Sequence, residues 1–441
     1  MIAAPVETIY ACATAPGRSG VAVIRVSGPK AGDTHKALTG KAPETPRLMA
    51  LFSFHDPDTH AVLDRGMSVW FQSPASFTGE DVVEYHLHGG KAVVSAFLAA
   101  LAKIPACRLA EPGEFTRRAF ENGKLDLTAA EAVADLIAAE TEAQRAQALS
   151  QLEGGLEKIY RDWADELSRI LAHQEAEIEF PDEDMPTQVA ESLKPKVRKL
   201  IDEISLHLED NRRGERLRDG VMIAILGAPN AGKSSLLNKL SGRDAAIVSA
   251  EAGTTRDIVE THLDLGGYPV ILSDTAGLRA TSQAVEAEGI RRAKIRAQDA
   301  DIKVLLFDGT SAAVDAETLS LKNANAVLVS TKKDLPQKLD MPGAISLSTA
   351  TGEGIEALLK ILTDKAAQIC GDGKTPILTR ERHRVLLTET KTALERALQA
   401  PLPELAAEDL RLALRTLGAI TGRVHVEELL DRVFRDFCIG K

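Results

Sequence analysis

The sequence predicts a multidomain protein in which an α+β N-terminal domain and a discontinuous α-helical domain accompany an inserted α/β P-loop domain. Three observations predict this architecture. Short β-like runs broken by proline and glycine fill the first part of the chain, helical periodicity occupies two separate stretches, and a strand–loop–helix phosphate motif lies between those stretches. The predicted domains are 1–118, 119–217, 218–370 and 371–441, of which the second and the fourth form the helical domain.

Composition sets the broad class of the protein. A chain of 441 residues holds about three domains, and 44% hydrophobic with 27% charged residues is typical of a globular protein in water. No segment approaches ~20 consecutive apolar residues, and the N-terminus lacks a basic region followed by an apolar core, which predicts neither a membrane span nor an export signal. The cysteines are too far apart for a Cys-x-x-Cys pair, which fits a reducing cytoplasm: Cys12, Cys107, Cys370 and Cys438.

The formal net charge of −11 argues against broad coating of a nucleic acid, but it leaves room for a local basic patch. The run at 379–384 contains Arg380, Arg382, His383 and Arg384. Two interpretations of this run stay open, a basic patch for nucleic acid and a solvated helix face.

The secondary structure is predicted from periodicity. Alternating apolar residues predict strands at 21–26 and 82–87 in the first domain. Residues 128–131 predict a capping box that opens a long amphipathic helical stretch to about Phe180, broken only near Gly154 and Gly155. A second helical stretch covers about 191–217, and helical periodicity returns from Thr379 to the end of the chain.

The phosphate motif is Gly-Ala-Pro-Asn-Ala-Gly-Lys-Ser at 227–234, directly after the apolar strand-like run 221–226. Its glycines let backbone N–H groups face a phosphate, Lys233 reaches the outer phosphates, and Ser234 holds Mg²⁺ where the next helix begins. The sequence therefore predicts a nucleoside triphosphate site with contacts from Asn230, Ala231, Gly232, Lys233, Ser234 and Ser235.

Further segments predict a guanine nucleotide switch. A strand at 268–273 leads to Asp-Thr-Ala-Gly at 274–277, where Asp274 holds the water shell of Mg²⁺ and the Gly277 N–H contacts a γ-phosphate. Between this segment and the P-loop, the threonines of 253–257 can close on Mg²⁺ when that phosphate is present. The predicted contacts in these two segments are Thr254, Thr255, Asp274, Thr275, Ala276 and Gly277.

Base recognition is assigned to the segment Thr-Lys-Lys-Asp at 331–334, which follows a strand at 326–329. The carboxylate of Asp334 can accept two hydrogen bonds from the guanine N1–H and 2-amino group, which adenine cannot supply. Thr331 stands where this motif usually has asparagine, and a hydroxyl makes a poorer bridge to the P-loop. Lys332 is a further predicted contact, and Ser348 and Thr349 follow a strand at 344–347 where a loop contacts the guanine carbonyl.

Hydrolysis needs a group that orients water, and the residue after 274–277 is Leu278, which neither donates nor accepts a hydrogen bond. An acid from the following loop has to take this role. Glu286 is the first candidate and Glu288 is its competitor.

Several motifs together resemble the MnmE family of tRNA modification GTPases, also called TrmE, over the whole chain. They are Thr-Ala-Pro-Gly-Arg at 14–18, Phe-Thr-Gly-Glu-Asp at 77–81, Glu-Pro-Gly-Glu-Phe-Thr-Arg-Arg-Ala-Phe at 111–120, Asn-Gly-Lys-Leu-Asp-Leu at 122–127 and Phe-Cys-Ile-Gly-Lys at 437–441. The resemblance implies a cytoplasmic homodimer that binds a tetrahydrofolate derivative of the 5-formyl or 5,10-methylene type in its N-terminal domain. It also implies an FAD-dependent partner, MnmG or GidA, in a heterotetramer that adds a carboxymethylaminomethyl or aminomethyl group to carbon 5 of the tRNA wobble uridine.

The resemblance also implies roles for individual residues. Folate contacts fall on Arg25, Glu84, Lys124 and Lys441. Glu286 matches the acid that positions water, and Mg²⁺ falls to Ser234 and Thr255. A K⁺ ion that activates hydrolysis when two GTPase domains dimerise falls to Asn230, Ser249, Glu251 and Thr254, of which Asn230, Ser249 and Thr254 also belong to the GTP site.

Two alternatives remain at the level of the sequence. Cys438 is either a nucleophile toward the uridine or the carbon unit, or a small side chain that packs after Phe437. The protein itself is either a GTP-hydrolysing subunit of uridine modification or a GTPase switch in ribosome or RNA assembly without transfer chemistry. The N-terminal domain and the Cys438 tail favour the first function.

Overall fold

The computed structural model describes residues 7–179, 188–242, 246–247, 260–273, 300–371 and 377–424, and the positions 430–431, 433–434, 437 and 440. Internal contacts divide the chain into two compact units. The first unit consists of Met1–Ala134, Glu157–Arg161 and Leu417–Lys441, and the second of Asp135–Leu156 and Asp162–Thr416. The boundaries at 118, 217 and 370 are finer than this division and stay predictions.

The first unit contains one mixed sheet and three helices that come early in the chain. Its strands are β1 Thr8–Cys12, β2 Ser19–Ser27, β3 Ala50–His55, β4 Val62–Phe71, β5 Val82–Gly89 and β6 Cys107–Leu109, in the order β3-β4-β5-β2-β1-β6. All neighbouring pairs are antiparallel except β1 and β6, which are parallel. The helices are α1 Ala31–Thr39, α2 Lys91–Ala102 and α3 Glu114–Glu121. The α+β prediction for this region is confirmed.

Side chains that alternate along the strands divide this sheet into two faces. Tyr10 and Ile24 share one hydrophobic core with Leu38 of α1 and Phe97 of α2. On the other face Ile9 packs against Phe115 of α3. The sheet is therefore covered by α1 and α2 on one side and by α3 on part of the other.

The helices that follow are α4 Leu127–Ala138, α5 Glu142–Leu152, α6 Gly155–Glu179, α7 Gln188–Leu208 and α8 Arg213–Asp219. The capping box predicted at 128–131 is wrong. The Asp126 carboxylate caps α4 by accepting the Ala129 N–H at 2.7 Å, while the Thr128 hydroxyl donates to Asp126. A capping box forms instead at Thr141, where a break between α4 and α5 interrupts the stretch that was predicted to be continuous.

The nucleotide region forms a seven-stranded sheet in the order β13-β12-β11-β7-β10-β9-β8. Its strands are β7 Val221–Gly227, β8 Ala246–Ile247, β9 Glu260–Leu265, β10 Tyr268–Ser273, β11 Ile302–Asp308, β12 Ala326–Thr331 and β13 Ile345–Ser346. β7, β10, β11, β12 and β13 are parallel, β9 is antiparallel to β10, and β8 at the edge is antiparallel to β9. The helices are α9 Lys233–Ser241, α10 Ala316–Ser320 and α11 Ile355–Cys370. The parallel strands end at one carboxyl edge of the sheet, and such sheets bind ligands at this edge.

Two long helices, α12 Glu381–Gln399 and α13 Pro403–Thr421, confirm the helical periodicity predicted after Thr379. Within the described part of the chain, no helix combines the length and the apolar character that crossing a membrane requires.

Neither interpretation of the basic run at 379–384 holds. The guanidinium of Arg384 donates to Asp210 at 2.7 Å and to Glu215 at 3.0 Å, and Arg380 donates to Asp135 at 2.6 Å. His383 is buried. Because carboxylates neutralise these arginines, the run joins segments of the second unit instead of presenting a charged surface.

Candidate functional site

The P-loop joins β7 to α9 through residues 228–232. Asn230 has a φ of 63° and Gly232 a φ of 98°, so both lie in the left-handed region that tight phosphate-binding turns use. A side chain on Gly227 would approach the Leu306 carbonyl oxygen to 2.6 Å, so glycine is required where the loop leaves the sheet. The predicted contacts 230–235 thus lie in one continuous loop and the first turn of α9.

Lys233 is the first residue of α9, and its ammonium group lies across the loop. The Nζ atom donates to the carbonyl oxygens of Gly227 at 2.8 Å and Ala228 at 2.9 Å. Ser234 and Ser235 are exposed on the same turn. Because the N-terminus of a helix presents free N–H groups and a positive dipole, this turn is suited to an anionic phosphate with its cation.

Thr331 connects the end of β12 to the P-loop. Its hydroxyl lies 2.9 Å from the Ala231 carbonyl oxygen and 3.2 Å from the Phe307 carbonyl oxygen, and the side chain is 2% exposed. A hydroxyl has one proton, so it shares that proton between the two carbonyls. The bridge that was expected to be poorer with a hydroxyl is present. The buried Thr331 hydroxyl makes it to the Ala231 carbonyl oxygen of the P-loop.

The base-recognition segment lies at the same edge of the sheet. The Lys332 ammonium donates to Asp308 at 2.6 Å. Burial raises the pKa of the Asp308 carboxyl, but the hydrogen bonds from Lys332 and Thr310 outweigh burial and hold that pKa below its usual value. Ser348, which is fully buried, donates its hydroxyl to Asp334 at 2.5 Å and so fixes the orientation of the carboxylate.

Several predicted site residues lie outside the described residues. They are Ser249, Glu251, Thr254, Thr255, Asp274, Thr275, Ala276, Gly277, Leu278, Glu286, Glu288, Cys438 and Lys441. The water-positioning acid, the switch segments and the end of the C-terminal tail therefore stay predictions.

In the first unit, Arg25 and Glu84 are cross-strand partners on β2 and β5. The Arg25 Nε atom donates to Glu84 at 2.9 Å, and the two side chains are 17% and 18% exposed. The guanidinium lies 5.5 Å from the ring centre of Phe77 and 5.7 Å from that of Phe115. The pair is therefore a partly accessible polar cluster with aromatic neighbours. The two phenylalanines were not predicted as contacts, although both fall within the motifs at 77–81 and 111–120.

Lys124, in the loop between α3 and α4, contacts the loop that carries Phe77. Its Nζ atom donates to the Pro74 carbonyl oxygen at 3.0 Å, and its aliphatic chain borders Gly79. The neighbouring Asn122 side chain donates to the Thr78 carbonyl at 2.7 Å. Lys124 and Arg25 thus contact the same loop, Lys124 through Pro74 and Arg25 through Phe77.

A buried ionic network beside this loop was missed by the sequence interpretation. Arg118 is 8% exposed and donates to Glu80 at 3.2 Å and to Glu114 at 2.9 Å. Burial raises the pKa of Glu114, but hydrogen bonds from Arg108, the Glu111 N–H and Arg118 lower it below its usual value. Glu114 and Arg118 are four residues apart on one helix, but Glu80 lies 38 residues from Arg118, so no local pattern could have indicated that contact.

The described part of the C-terminal tail packs in the first unit. Phe434 and Phe437 join Phe120 and Leu127 in one hydrophobic cluster. Gly440 has a φ of 99°, and a side chain there would collide with the Cys12 carbonyl. The tail therefore passes close to the end of β1.

Comparison with known proteins identifies the family. Residues 8–124 match the model of the N-terminus of the GTP-binding protein TrmE, and residues 127–438 match that of the MnmE helical domain. The chain belongs to the MnmE (TrmE) family. It is 54% identical to the tRNA modification GTPase MnmE of Parvibaculum lavamentivorans, over 99% of this chain and 100% of that protein. It is 52% identical to the MnmE of Rhodospirillum rubrum over the same shares.

A more distant relative is the mitochondrial 5-taurinomethyluridine-tRNA synthase subunit GTPB3 of Danio rerio. The identity is 46%, over 99% of this chain and 93% of that protein. Membership of the MnmE family confirms the resemblance on which the sequence interpretation relied, and it agrees with the multidomain fold of N-terminal, helical and P-loop GTPase regions.

Proposed function

We propose that this protein is the GTP-hydrolysing subunit of an enzyme that modifies the wobble uridine of tRNA. As a member of the MnmE family, it is a GTPase of tRNA modification. The observation that carries the finer proposal is that one chain joins a P-loop and guanine-recognition edge to an N-terminal unit with its own polar cluster at Arg25 and Glu84. A GTPase without transfer chemistry has no use for the second feature.

The GTP half of the proposal assigns chemistry to residues at the carboxyl edge of the seven-stranded sheet. Lys233 and the N–H groups of the loop hold the phosphates, and Asp334, oriented by Ser348, selects guanine. Asn230 in the loop and Ser234 in the first turn of α9 are both exposed oxygen-bearing residues, which fits their proposed roles toward K⁺ and Mg²⁺.

The remaining ligands of these ions are Thr255 for Mg²⁺ and Ser249, Glu251 and Thr254 for K⁺. The two ions supply positive charge where negative charge develops during phosphoryl transfer. Glu286 positions the attacking water because Leu278 cannot. Hydrolysis accelerates when two GTPase domains dimerise.

The folate half assigns the one-carbon donor to the cluster around Arg25. A pterin carries ring and amino N–H groups that suit the Glu84 carboxylate, and its flat ring suits the exposed aromatic neighbour Phe77. Lys124 and Lys441 pair with the glutamate tail of the folate. The partial exposure of Arg25 and Glu84 fits this role, because a ligand has to reach them from solvent.

The tRNA chemistry requires partners. We assign an FAD-dependent MnmG subunit, a homodimer of this chain and a cytoplasmic location. The name of the zebrafish relative describes a subunit of a uridine-modifying synthase, which supports both a partner subunit and uridine as the target. Cys438 is either a nucleophile in this chemistry or a packing residue of the tail.

Mass spectrometry of tRNA nucleosides tests the function. Cells that lack this protein should lose a 5-substituted uridine, and the wild-type gene should restore it. A Lys233→Ala gene should not restore it, because the ammonium that spans the P-loop is gone. Unchanged tRNA nucleosides together with defective ribosome assembly would instead establish the switch function.

A further inference from the structure

A cavity of about 210 Å³ lies in the first unit, between strands β3 and β4 and the loop at 41–48. Ser68 and Trp70 of β4 line it, and they stand opposite Tyr85 and Val83 of β5. Tyr85 and Val83 belong to the core beneath α1 and α2. Because residues opposite each other share a face of a sheet, the cavity lies on the face opposite Arg25 and Glu84.

Two polar atoms of the lining lack a hydrogen-bond partner within the described residues. They are the Ser68 hydroxyl and the Trp70 indole Nε1–H, and both atoms are buried. The Ser68 side chain is only 2% exposed. An indole N–H can only donate, and leaving such a group unpaired in the interior is unfavourable. The occupant of the cavity therefore has to bring acceptor atoms.

His35 of α1 lines the cavity without adding positive charge. Its Nδ1 lies 2.8 Å from the Lys41 carbonyl oxygen, which can only accept, so Nδ1 carries the proton. Burial lowers the pKa of His35, which keeps the ring neutral near pH 7. The histidine thereby fixes the loop that begins at Lys41, and any formal charge beside the cavity comes from Lys41 and Glu44.

The walls limit the size and the polarity of the occupant. Pro43, Leu48 and Phe52 supply apolar surface. Typical sites for drug-sized ligands have about 300–1,000 Å³, so this cavity suits a smaller molecule. Ser68 and Trp70 are two residues apart on one strand, which places their Cα atoms roughly 6.6 Å apart. Residues two apart on a strand share a face of the sheet, so both side chains belong to the same wall of the cavity.

We propose that this cavity binds a small monocarboxylate. Trp70 and Ser68 donate to the two carboxylate oxygens, Lys41 supplies the positive charge at the rim, and Leu48 and Phe52 surround a short apolar body. Glu44 at the rim disfavours a second negative charge on the ligand. The proposal concerns a site on the other face of the sheet from the folate cluster and does not depend on the proposed function.

The indole N–H of Trp70 is a direct reporter. The chain has two tryptophans, and the Trp163 Nε1–H already donates to Glu203 at 2.9 Å, so the Trp163 resonance serves as an internal control. In the full chain labelled with ¹⁵N-tryptophan, titration with butyrate should move the Trp70 resonance in a saturable manner and leave the Trp163 resonance in place. Trp163→Phe assigns the two signals.

Matched probes and variants decide the outcome. Ser68→Ala should weaken butyrate binding by about tenfold or more, because it removes a hydrogen bond to a charged group. Ser53→Ala, on β3 but outside the lining, should not change it. A thermal melt checks that each variant is folded. An equal response to butyramide would overturn the carboxylate assignment, an unaltered affinity in Ser68→Ala would overturn its donor, and no saturable shift would mean that water alone fills the cavity.

Discussion

Thr331→Val tests whether the hydroxyl that joins β12 to the P-loop organises the nucleotide site. Valine has the same shape as threonine but cannot donate, so the Ala231 carbonyl loses the donor that lies 2.9 Å away. Because Thr331, Ala231 and Phe307 are all at most 2% exposed, water cannot replace this donor without rearrangement. An unpaired buried polar group costs about 1–3 kcal/mol, so we expect the free energy of unfolding to fall by that amount.

Nucleotide affinity should fall as well, because a loop without this bond has to become ordered when GDP binds. A loss of about 1.4 kcal/mol of binding free energy corresponds to a tenfold higher dissociation constant. We therefore expect GDP binding to weaken by roughly tenfold, measured by titration of a fluorescent GDP analogue, while thermal denaturation reports stability.

Thr390→Val is the matched control. Thr390 is also fully buried, and its hydroxyl contacts the Leu386 carbonyl at 2.7 Å and Thr416 at 2.8 Å in the helices α12 and α13. This variant should lose comparable stability without losing GDP affinity. If Thr331→Val lost stability but bound GDP as tightly as the wild-type chain, the hydroxyl would only support the sheet and the reasoning would be refuted.

Further predictions address base choice, hydrolysis, folate and the tail. Asp334→Asn should shift preference from GTP toward xanthosine triphosphate in a competition titration, and unchanged discrimination would refute the base assignment. Glu286→Ala should slow phosphate release in saturating K⁺ by about 10²–10³, whereas a wild-type rate would move the role to another acid. Glu84→Gln should weaken binding of a reduced folate by about tenfold in calorimetry, and equal affinity would remove Glu84 from the site. Gly440→Ala should lower folate affinity because a side chain meets the Cys12 carbonyl, while Gly40→Ala, with a φ of 76° and open space around it, should not; equal affinities would make the tail irrelevant to folate.

The parts of the fold that could be predicted from sequence depend on contiguous residues. The strand β7, the P-loop and the start of α9 follow one another directly in the sequence, so periodicity and the spacing of glycines predict them. The ends of the helices were harder to predict from the sequence. Asp126 and Thr128 both suit a cap, and which of them caps depends on where the chain enters α4, which a local pattern does not determine.

Contacts between distant segments could not be predicted. Arg384 meets Asp210 across 174 residues, and only the fold of the second unit brings them together. The same holds for Ser68 and Trp70, which line one cavity with residues of the loop at 41–48. The geometry of the Thr331 bridge could not be predicted for a related reason, because residue type alone does not reveal that its hydroxyl lies 2.9 Å from the Ala231 carbonyl oxygen of the P-loop.

The division of the chain bears on how GTP hydrolysis reaches the tRNA chemistry. The P-loop and Asp334 belong to the second unit, whereas Arg25, Glu84 and Gly440 belong to the first. Every point at which the chain passes from one unit to the other lies inside a helix, namely α4, α6 or α13. Helices have internal hydrogen bonds along their length and transmit displacement better than loops do. Because each passage between the units is helical, we expect that breaking one of these helices lowers tRNA modification without abolishing GTP binding.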